Sequence, residues 1–238
     1  AMALNLAAIL FFLKGLKKPL LLPISAIFFS LSLYTYQSEK VFVPLMLLIL
    51  IIVFFRQLIK IPKKNIIISF LVLIIVSLPI AIFTLTNQDS LARAKGVSFL
   101  SDTNSLLQKN VKIIQRDHER GDYIGLLFDN RRVVYTKTYI QGYLSHFDLN
   151  WLFITGDSTN RHHAPQMGLM YLIELPFLLL GFYFLIFNKN IIPIDKKIKI
   201  FLFLWILAAP IPAAFTTGVP HAVRILNVLP SLQIITSL

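Results

Sequence analysis

Residues 41–86 read VFVPLMLLILIIVFFRQLI, then KIPKKN, then IIISFLVLIIVSLPIAIFTLT. The first and third stretches are apolar runs of about 20 residues, which is the length that carries a helix across the hydrocarbon core of a bilayer. A helix satisfies its own backbone hydrogen bonds in lipid, where no water is present to do so. The stretch therefore predicts two membrane-spanning helices joined by a short basic turn.

The same pattern extends over most of the 238 residues. The sequence is 56% hydrophobic and 14% charged, and its mean hydropathy of +0.73 is too high for a soluble domain of this length. We predict an all-α fold, a polytopic transmembrane helix bundle with five complete spans, two partial spans and a long, partly helical outer loop. The predicted segments are 1–13 (partial), 19–36, 41–59, 66–86, 166–187, 198–215 and 225–238 (partial).

The two ends of the sequence resemble interrupted spans. The chain opens with AMALNLAAILFFLK, without a basic segment before the apolar one, and it stops within the apolar run RILNVLPSLQIITSL. We therefore expect a single membrane domain, 1–238, truncated at both ends, with residues 87–165 inserted as a loop. Because the sequence has no cysteine, disulfides, thiol catalysis and cysteine metal sites are excluded within it.

Most of the positive charge lies in alternate connections. Those connections carry eleven of the basic residues and one acidic residue, Asp195, while the net charge of the chain is +12. The basic residues are Lys14, Lys17, Lys18, Arg56, Lys60, Lys63, Lys64, Lys189, Lys196, Lys197 and Lys199. This distribution follows the positive-inside rule, so a nucleic-acid partner is not needed to explain the charge.

The alternation predicts which segments share the opposite face of the membrane. These segments are 37–40, the long stretch 87–165 and 216–224. We expect a multi-pass protein of the cell (inner or plasma) membrane in which residues 87–165 are extracytoplasmic. Within this loop we predict a helix that begins at Asp102 or Thr103 and ends at Gly121. We also predict an aromatic and basic segment, 131–153, at the membrane interface.

Three groups of charged residues on this face are candidates for binding an anion. Lys40 lies beside Glu39 in a tight turn, where either a lipid phosphate contact or an ordinary polar turn fits the pattern. His221 and Arg224 are spaced i and i+3, so a helix that starts near Pro220 places them on one face. The plainer reading of Arg224 is an interfacial anchor.

The third group is the stretch FITGDSTNRHHAPQMG, 153–168. Arg161, His162 and His163 crowd together there beside Asp157, and the arginine fork suits phosphate. Neighbouring histidines point in different directions, so we assign no metal ligands. The alternative is a solvated turn in which Pro165 opens a helix.

Glu174 stands alone inside the predicted span 166–187. A carboxyl group within a membrane is costly, so it indicates either a functional site or a protonated side chain bonded to a neighbouring helix.

Three stretches resemble bacterial membrane glycosyltransferases of the GT-C type, in particular family 39, with the protein O-mannosyltransferases and aminoarabinose lipid A transferases as relatives. They are SLYTYQSEKVFVPL (32–45), YLSHFDLNWLFITGDSTNRHHAPQMGLMYLIELPFLLLG (143–181) and APIPAAFTTGVPHAVRILNVLP (209–230). The first resembles a turn between two helices, the second the return of the outer loop to the membrane, and the third a later outer loop.

The resemblance implies an inverting hexosyl or pentosyl transferase that takes a sugar from a polyprenyl-phosphate carrier at the outer face. The catalytic acid of this family lies in the first outer loop, which would precede residue 1, so no catalytic residue is assigned here. Lys40, Arg161 and Arg224 are then expected to hold the carrier phosphate and stabilise the leaving group. Glu39, His162, His163, His221 and Glu174 are expected to be supporting polar residues.

Two other functions fit the same basic outer segments. One is a transporter or flippase for a lipid-linked glycan, although we find no internal repeat of the kind common in transporters. The other is a non-catalytic scaffold subunit of the membrane. For the glycosyltransferase, the partners implied are the polyprenyl-phosphate sugar, the bilayer and an acceptor lipid, glycan or protein. No cofactor is assigned, and a divalent metal stays open.

Overall fold

The computed structural model describes residues 1–87, 92, 96–101, 103–157, 159, 162, 164, 167–187 and 194–238, without the side chains of 103–107 and 109. Within those ranges the fold is helical, and the only β-structure is an isolated bridge between Ser98 and Thr216. The helices are α1 (Met2–Gly15), α2 (Leu22–Ser32), α3 (Glu39–Leu58), α4 (Lys63–Thr86), α5 (Thr103–Arg120), α6 (Tyr123–Phe128), α7 (Arg131–Ser145), α8 (Glu174–Phe187), α9 (Lys196–Ala208), α10 (Ile211–Ala214) and α11 (Leu229–Thr236). Short 3-10 turns at Pro19–Leu21 and Leu226–Val228 and a π-helical turn at Trp151–Thr155 join them.

Among the described residues, three helical segments are long and apolar enough to cross a membrane. They are α3, α4 and the stretch Lys196–Ala214, which comprises α9 and α10. The prediction of an all-helical protein with membrane-spanning helices is therefore confirmed, but the count of five complete spans is not. The segment Pro19–Ser32 has 14 residues and begins with a 3-10 turn, and α8 also has only 14.

The start of α8 corrects the predicted span 166–187. The described residues 167–173 are not helical, and the helix begins at Glu174. Two contacts explain the difference. The amide of Met170 donates to the Leu152 carbonyl at 2.9 Å, and Gly168 lies so close to the backbone of Leu152 and Phe153 that a Cβ would overlap it. This tight crossing holds the chain extended beside the π-helical turn.

Contacts between aromatic rings bring α1, α3 and α9 together at one end of the helix bundle. Phe54, near the end of α3, packs against Phe12 of α1 and Phe201 of α9, with ring centroids 6.1 and 6.2 Å apart. Basic residues stand close to all three rings in sequence. They follow Phe12 and Phe54, and they precede Phe201. The described lysines and arginines of the alternate connections therefore gather at one end of the bundle.

The polar segments meet at the other end of the bundle. The amide of Phe99 donates to the Phe215 carbonyl at 3.3 Å, and that of Thr217 donates to the Val97 carbonyl at 2.8 Å. The Tyr143 hydroxyl of α7 donates to the Leu207 carbonyl at 2.8 Å. The long loop is thus a folded layer that packs against the segment 215–222.

Candidate functional site

Asp157 is the central residue of a polar cluster. It follows Gly156, which ends the π-helical turn with φ 65° and ψ −160°, a conformation that favours glycine. The Asp157 side chain is only 2% exposed, and its Oδ2 accepts a hydrogen bond from the Ala222 amide at 3.0 Å. A buried carboxylate is therefore held by a backbone donor from a segment 65 residues away.

Two histidines approach the same carboxylate oxygen. Nδ1 of His162 lies 2.8 Å from Asp157 Oδ2, and Nδ1 of His221 lies 3.8 Å from it. The two imidazole rings face each other with centroids 4.7 Å apart. The ligand atoms of the three residues all lie within 4.8 Å of one another, so one small group can contact all three.

His146 binds the backbone of His221 through a hydrogen bond. Its Nε2 accepts the backbone N–H of His221 at 3.2 Å, and its Nδ1 donates to the Gly142 carbonyl at 2.7 Å. The ring is buried and lies edge-on to Trp151, 5.7 Å away. Because burial disfavours the charged imidazolium, the pKa of His146 is lowered to about 4.

The ionisation of the cluster follows from burial and charge. Burial raises the pKa of the Asp157 carboxyl, but the hydrogen bonds from Ala222 and His162 and the nearby His221 outweigh it, so the pKa lies below its usual value. Burial, then the positive charge of Arg224, lower the pKa of His221. At neutral pH the cluster therefore combines a carboxylate with neutral His146 and His221 rings.

An apolar cavity of about 310 Å³ opens beside this cluster. The imidazole of His162 lines it, and the segments 167–171 and 222–229 form most of its wall. The next stretch of chain, Tyr171–Ile173, exposes three large apolar side chains. The cavity therefore combines a mostly apolar wall, one imidazole in that wall and exposed apolar side chains beside it.

Arg224 is close to the cluster but does not line this cavity. Its Nη1 donates to the Thr216 hydroxyl at 2.5 Å and to the Thr217 carbonyl at 2.9 Å. Within the described part of the chain its Nε and Nη2 make no hydrogen bond. These two contacts fix the guanidinium while leaving further donors for an anion.

The Lys40 side chain is bound to α4 and not to the Asp157 cluster. Its Nζ donates to the Thr84 hydroxyl of α4 at 2.9 Å, so the structure does not bring the Lys40 and Arg224 side chains into direct contact. Arg161 and His163 lie outside the described residues, so the proposed set of three phosphate ligands stays a prediction.

Glu39 is the centre of a second buried network, near the same end of the bundle. Its carboxylate, in a residue 1% exposed, accepts from Asn5 at 2.7 Å, Ser32 at 3.2 Å and Asn227 at 2.7 Å. Asn227 also accepts from the Trp205 indole through its carbonyl at 2.8 Å. The geometry makes Glu39 a structural link between α1, α3 and the C-terminal segment.

Glu174 does not lie in the middle of a span, because α8 begins with it. Its Oε2 accepts the backbone N–H of Tyr171 at 2.9 Å. The carboxylate therefore stabilises the turn that precedes the helix, where a negative charge is favourable. This position accounts for the acid without a functional role.

Sequence reasoning named His162 and His221 in separate groups and assigned no role to Asp157. It did not identify His146, Asn5 or Asn227. A signal for Asp157 was present in the dipeptide Gly156–Asp157, since glycine before a polar residue often marks a constrained turn. Nothing in the spacing indicated that residues 157 and 222 would meet.

Comparison with protein-family models, with curated proteins and with solved structures finds no match for this chain. The candidate site therefore has to be interpreted from its own geometry and chemistry.

Proposed function

We propose that this chain is the membrane part of a glycosyltransferase that uses a sugar linked to a polyprenyl phosphate. The observation that carries the proposal is the cavity of about 310 Å³, whose mostly apolar wall includes the imidazole of His162. Such a combination suits an amphipathic donor, with the isoprenoid chain against the apolar wall and the phosphate at His162.

Charge supports the same assignment. Arg224 is three residues from His221 and lowers the pKa of that histidine through its positive charge, so the guanidinium acts electrostatically at the cluster. Arginine offers planar, forked donors that match phosphate oxygens. Its remaining donors are free to stabilise the negative charge that develops on the leaving phosphate when the glycosidic bond breaks.

The position in the bundle is also consistent with a lipid substrate. The cavity flank Tyr171–Ile173 exposes apolar side chains immediately before α8, where a bilayer would cover them. A second apolar groove, about 370 Å³, lies between α3, α7 and α9, with Tyr139 and Tyr143 at its edge. Both features offer routes for an apolar chain at the membrane interface.

The proposal is tested with the full-length protein in liposomes and a panel of radiolabelled polyprenyl-phosphate monosaccharides. We expect donor binding and release of the polyprenyl phosphate as the sugar is transferred. Arg224→Ala should weaken donor binding about 10- to 100-fold, because a charged hydrogen-bonding partner contributes roughly 1.5–3 kcal/mol. Arg132→Ala, an exposed arginine on α7, is the matched control and should bind normally.

Two outcomes would overturn the proposal. The first is an absence of both donor binding and transfer across the whole panel in protein that is folded and inserted. The second is movement of the intact lipid-linked sugar between leaflets without cleavage of its glycosidic bond, which would identify a flippase.

A further inference from the structure

We infer that Asp157, His162 and His221 form a binding site for one divalent transition-metal ion of the zinc class. The inference concerns a ligand of the cluster itself and does not depend on which lipid or sugar the protein uses. It brings together residues from two loop segments that are far apart in sequence.

The donor set has the right chemistry and nearly the right spacing. Two imidazoles and one carboxylate are a common three-residue ligand set for Zn²⁺, with an open fourth position. Bonds of about 2.0–2.2 Å to a tetrahedral ion place ligand atoms roughly 3.3 Å apart. Asp157 Oδ2 lies 2.8 Å from Nδ1 of His162 and 3.8 Å from Nδ1 of His221, and all the ligand atoms lie within 4.8 Å of one another. Shifts of about 1.5 Å or less therefore accommodate an ion.

An independent observation points to a missing ligand. Nδ1 of His221 is buried, yet it makes no hydrogen bond within the described residues. A buried polar atom without a partner costs about 1–3 kcal/mol. A metal ion between the two histidines and Asp157 would satisfy this atom directly.

Neighbouring groups hold the ligands in place. The Ala222 amide donates to Asp157 Oδ2, and His146 accepts the backbone N–H of His221. Such outer contacts orient metal ligands and raise their affinity. His146 is not itself a ligand, because both of its ring nitrogens already have partners.

Binding can be written as a balanced exchange. The ion takes one lone pair from Nδ1 of each imidazole and one from the carboxylate. The hydrogen that Nδ1 of His162 shares with Asp157 is lost to solvent while Nε2 of the same ring takes one up, so His162 binds as a neutral imidazole. His162 also lines the cavity, so the open position of the ion can face it. Coordination of a phosphate oxygen there rests on the proposed function, whereas metal binding does not.

The test uses full-length, tag-free protein in detergent or nanodiscs, without any donor lipid. After equilibration with Zn²⁺ and desalting, elemental analysis should find about one ion per chain, and Co²⁺ should give the visible absorption bands of a four-coordinate site. His162→Gln, His221→Gln and Asp157→Asn should each lower zinc affinity more than about tenfold, since losing outer-shell contacts alone costs 10- to 100-fold. His118→Gln, an exposed histidine on α5, is the matched control and should bind as the wild type does.

Folding is monitored in the same samples. Zinc should raise the thermal unfolding temperature of the wild type and the control but not of His162→Gln, whose partly exposed side chain is the least disruptive to replace. The inference is overturned if folded wild-type protein holds no stoichiometric metal, or if His162→Gln and His221→Gln retain wild-type affinity. Because no sugar donor is present, either result leaves the glycosyltransferase proposal to its own test.

Discussion

Asn227 donates from its side-chain amide to Oε1 of Glu39 at 2.7 Å, across 188 positions of sequence. The bond joins the first turn of α3 to the segment that also carries His221 and Arg224. It therefore fixes the turn 37–40 next to the later loop. The candidate site depends on this framework because the same segment supplies the Ala222 amide to Asp157.

Replacing Glu39 should destabilise the protein. Glu39→Ala removes the acceptor of one N–H of each of the buried amides Asn5 and Asn227, at roughly 1–3 kcal/mol each, while Asn5 keeps its bond to Asn227 Oδ1 at 3.0 Å. We expect a clear fall in the thermal unfolding temperature of detergent-solubilised protein. Glu119→Ala, an exposed glutamate on α5, should unfold as the wild type does. Equal unfolding of the two variants would show that the Glu39 network is not structural.

Gly181 should tolerate no side chain. A Cβ on this residue of α8 would overlap the Ile235 carbonyl of α11, so the two helices cross with their backbones in close approach. Gly181→Val should cost at least about 2 kcal/mol of stability, since overpacking of a rigid contact is typically worth 1–3 kcal/mol. Gly96→Ala, where a Cβ meets nothing within 4 Å, is the control. A Gly181→Val protein as stable as this control would place the helices further apart.

His146 should make stability depend on pH. Its pKa is about 4 in the folded protein, against 6.5 ordinarily, so the unfolded chain binds a proton first on acidification. The stability that this neutral ring contributes is present above about pH 6.5 and is lost as the pH falls toward 4, by an amount on the order of 3 kcal/mol.

The measurement is thermal unfolding of wild type and His146→Gln between pH 7 and pH 4. His221 and Asp157 are the titratable groups whose charges reach His146, and both variants retain them. The wild type should lose more stability than His146→Gln across this interval. If the unfolding temperatures of the two proteins fall equally with pH, His146 is not held neutral by burial.

Much of the membrane architecture was predictable because it depends on local composition. The ends of α3 and α4 lie within a few residues of the runs 41–59 and 66–86, since each run is long, apolar and bounded by charge. The start of α8 was predicted wrongly at residue 166. Hydropathy depends on local composition and carries no information on the close contact between Gly168 and the π-helical turn.

The site was predictable only in part. His162, His221 and Arg224 stood out because charged or titratable residues near a membrane surface are few. The proximity of His221 to Asp157 was not predictable, since it depends on the fold of the chain between them. Hydrogen bonds from the Ala222 amide and His146 are tertiary contacts that no local spacing encodes.

Membrane sidedness is a prediction of the charge pattern that labelling can check. Single cysteines at Glu119 of α5 and Lys60 after α3 occupy exposed positions. A membrane-impermeant maleimide should label Glu119→Cys in intact cells and Lys60→Cys only after the membrane is opened. Labelling of both positions from the same side would contradict the alternation of spans.

The central claim is that the long loop and the segment 215–222 pack together at one end of the bundle. Ser98 and Thr216 form an antiparallel bridge whose flanking residues exchange the hydrogen bonds. Paired residues of this type have Cα atoms about 4.5 Å apart, within the range that a disulfide spans. The 238 residues contain no cysteine, so no native thiol within them competes with an introduced pair.

The most direct measurement is therefore crosslinking of Ser98→Cys/Thr216→Cys in native membranes under mild oxidation, read by mass spectrometry of the digested protein. The account predicts a near-complete intramolecular disulfide in this double variant and none in Ser98→Cys/Ser237→Cys, whose second position lies after α11. Failure of the first pair to crosslink while both thiols accept a maleimide would contradict the packing on which the candidate site depends.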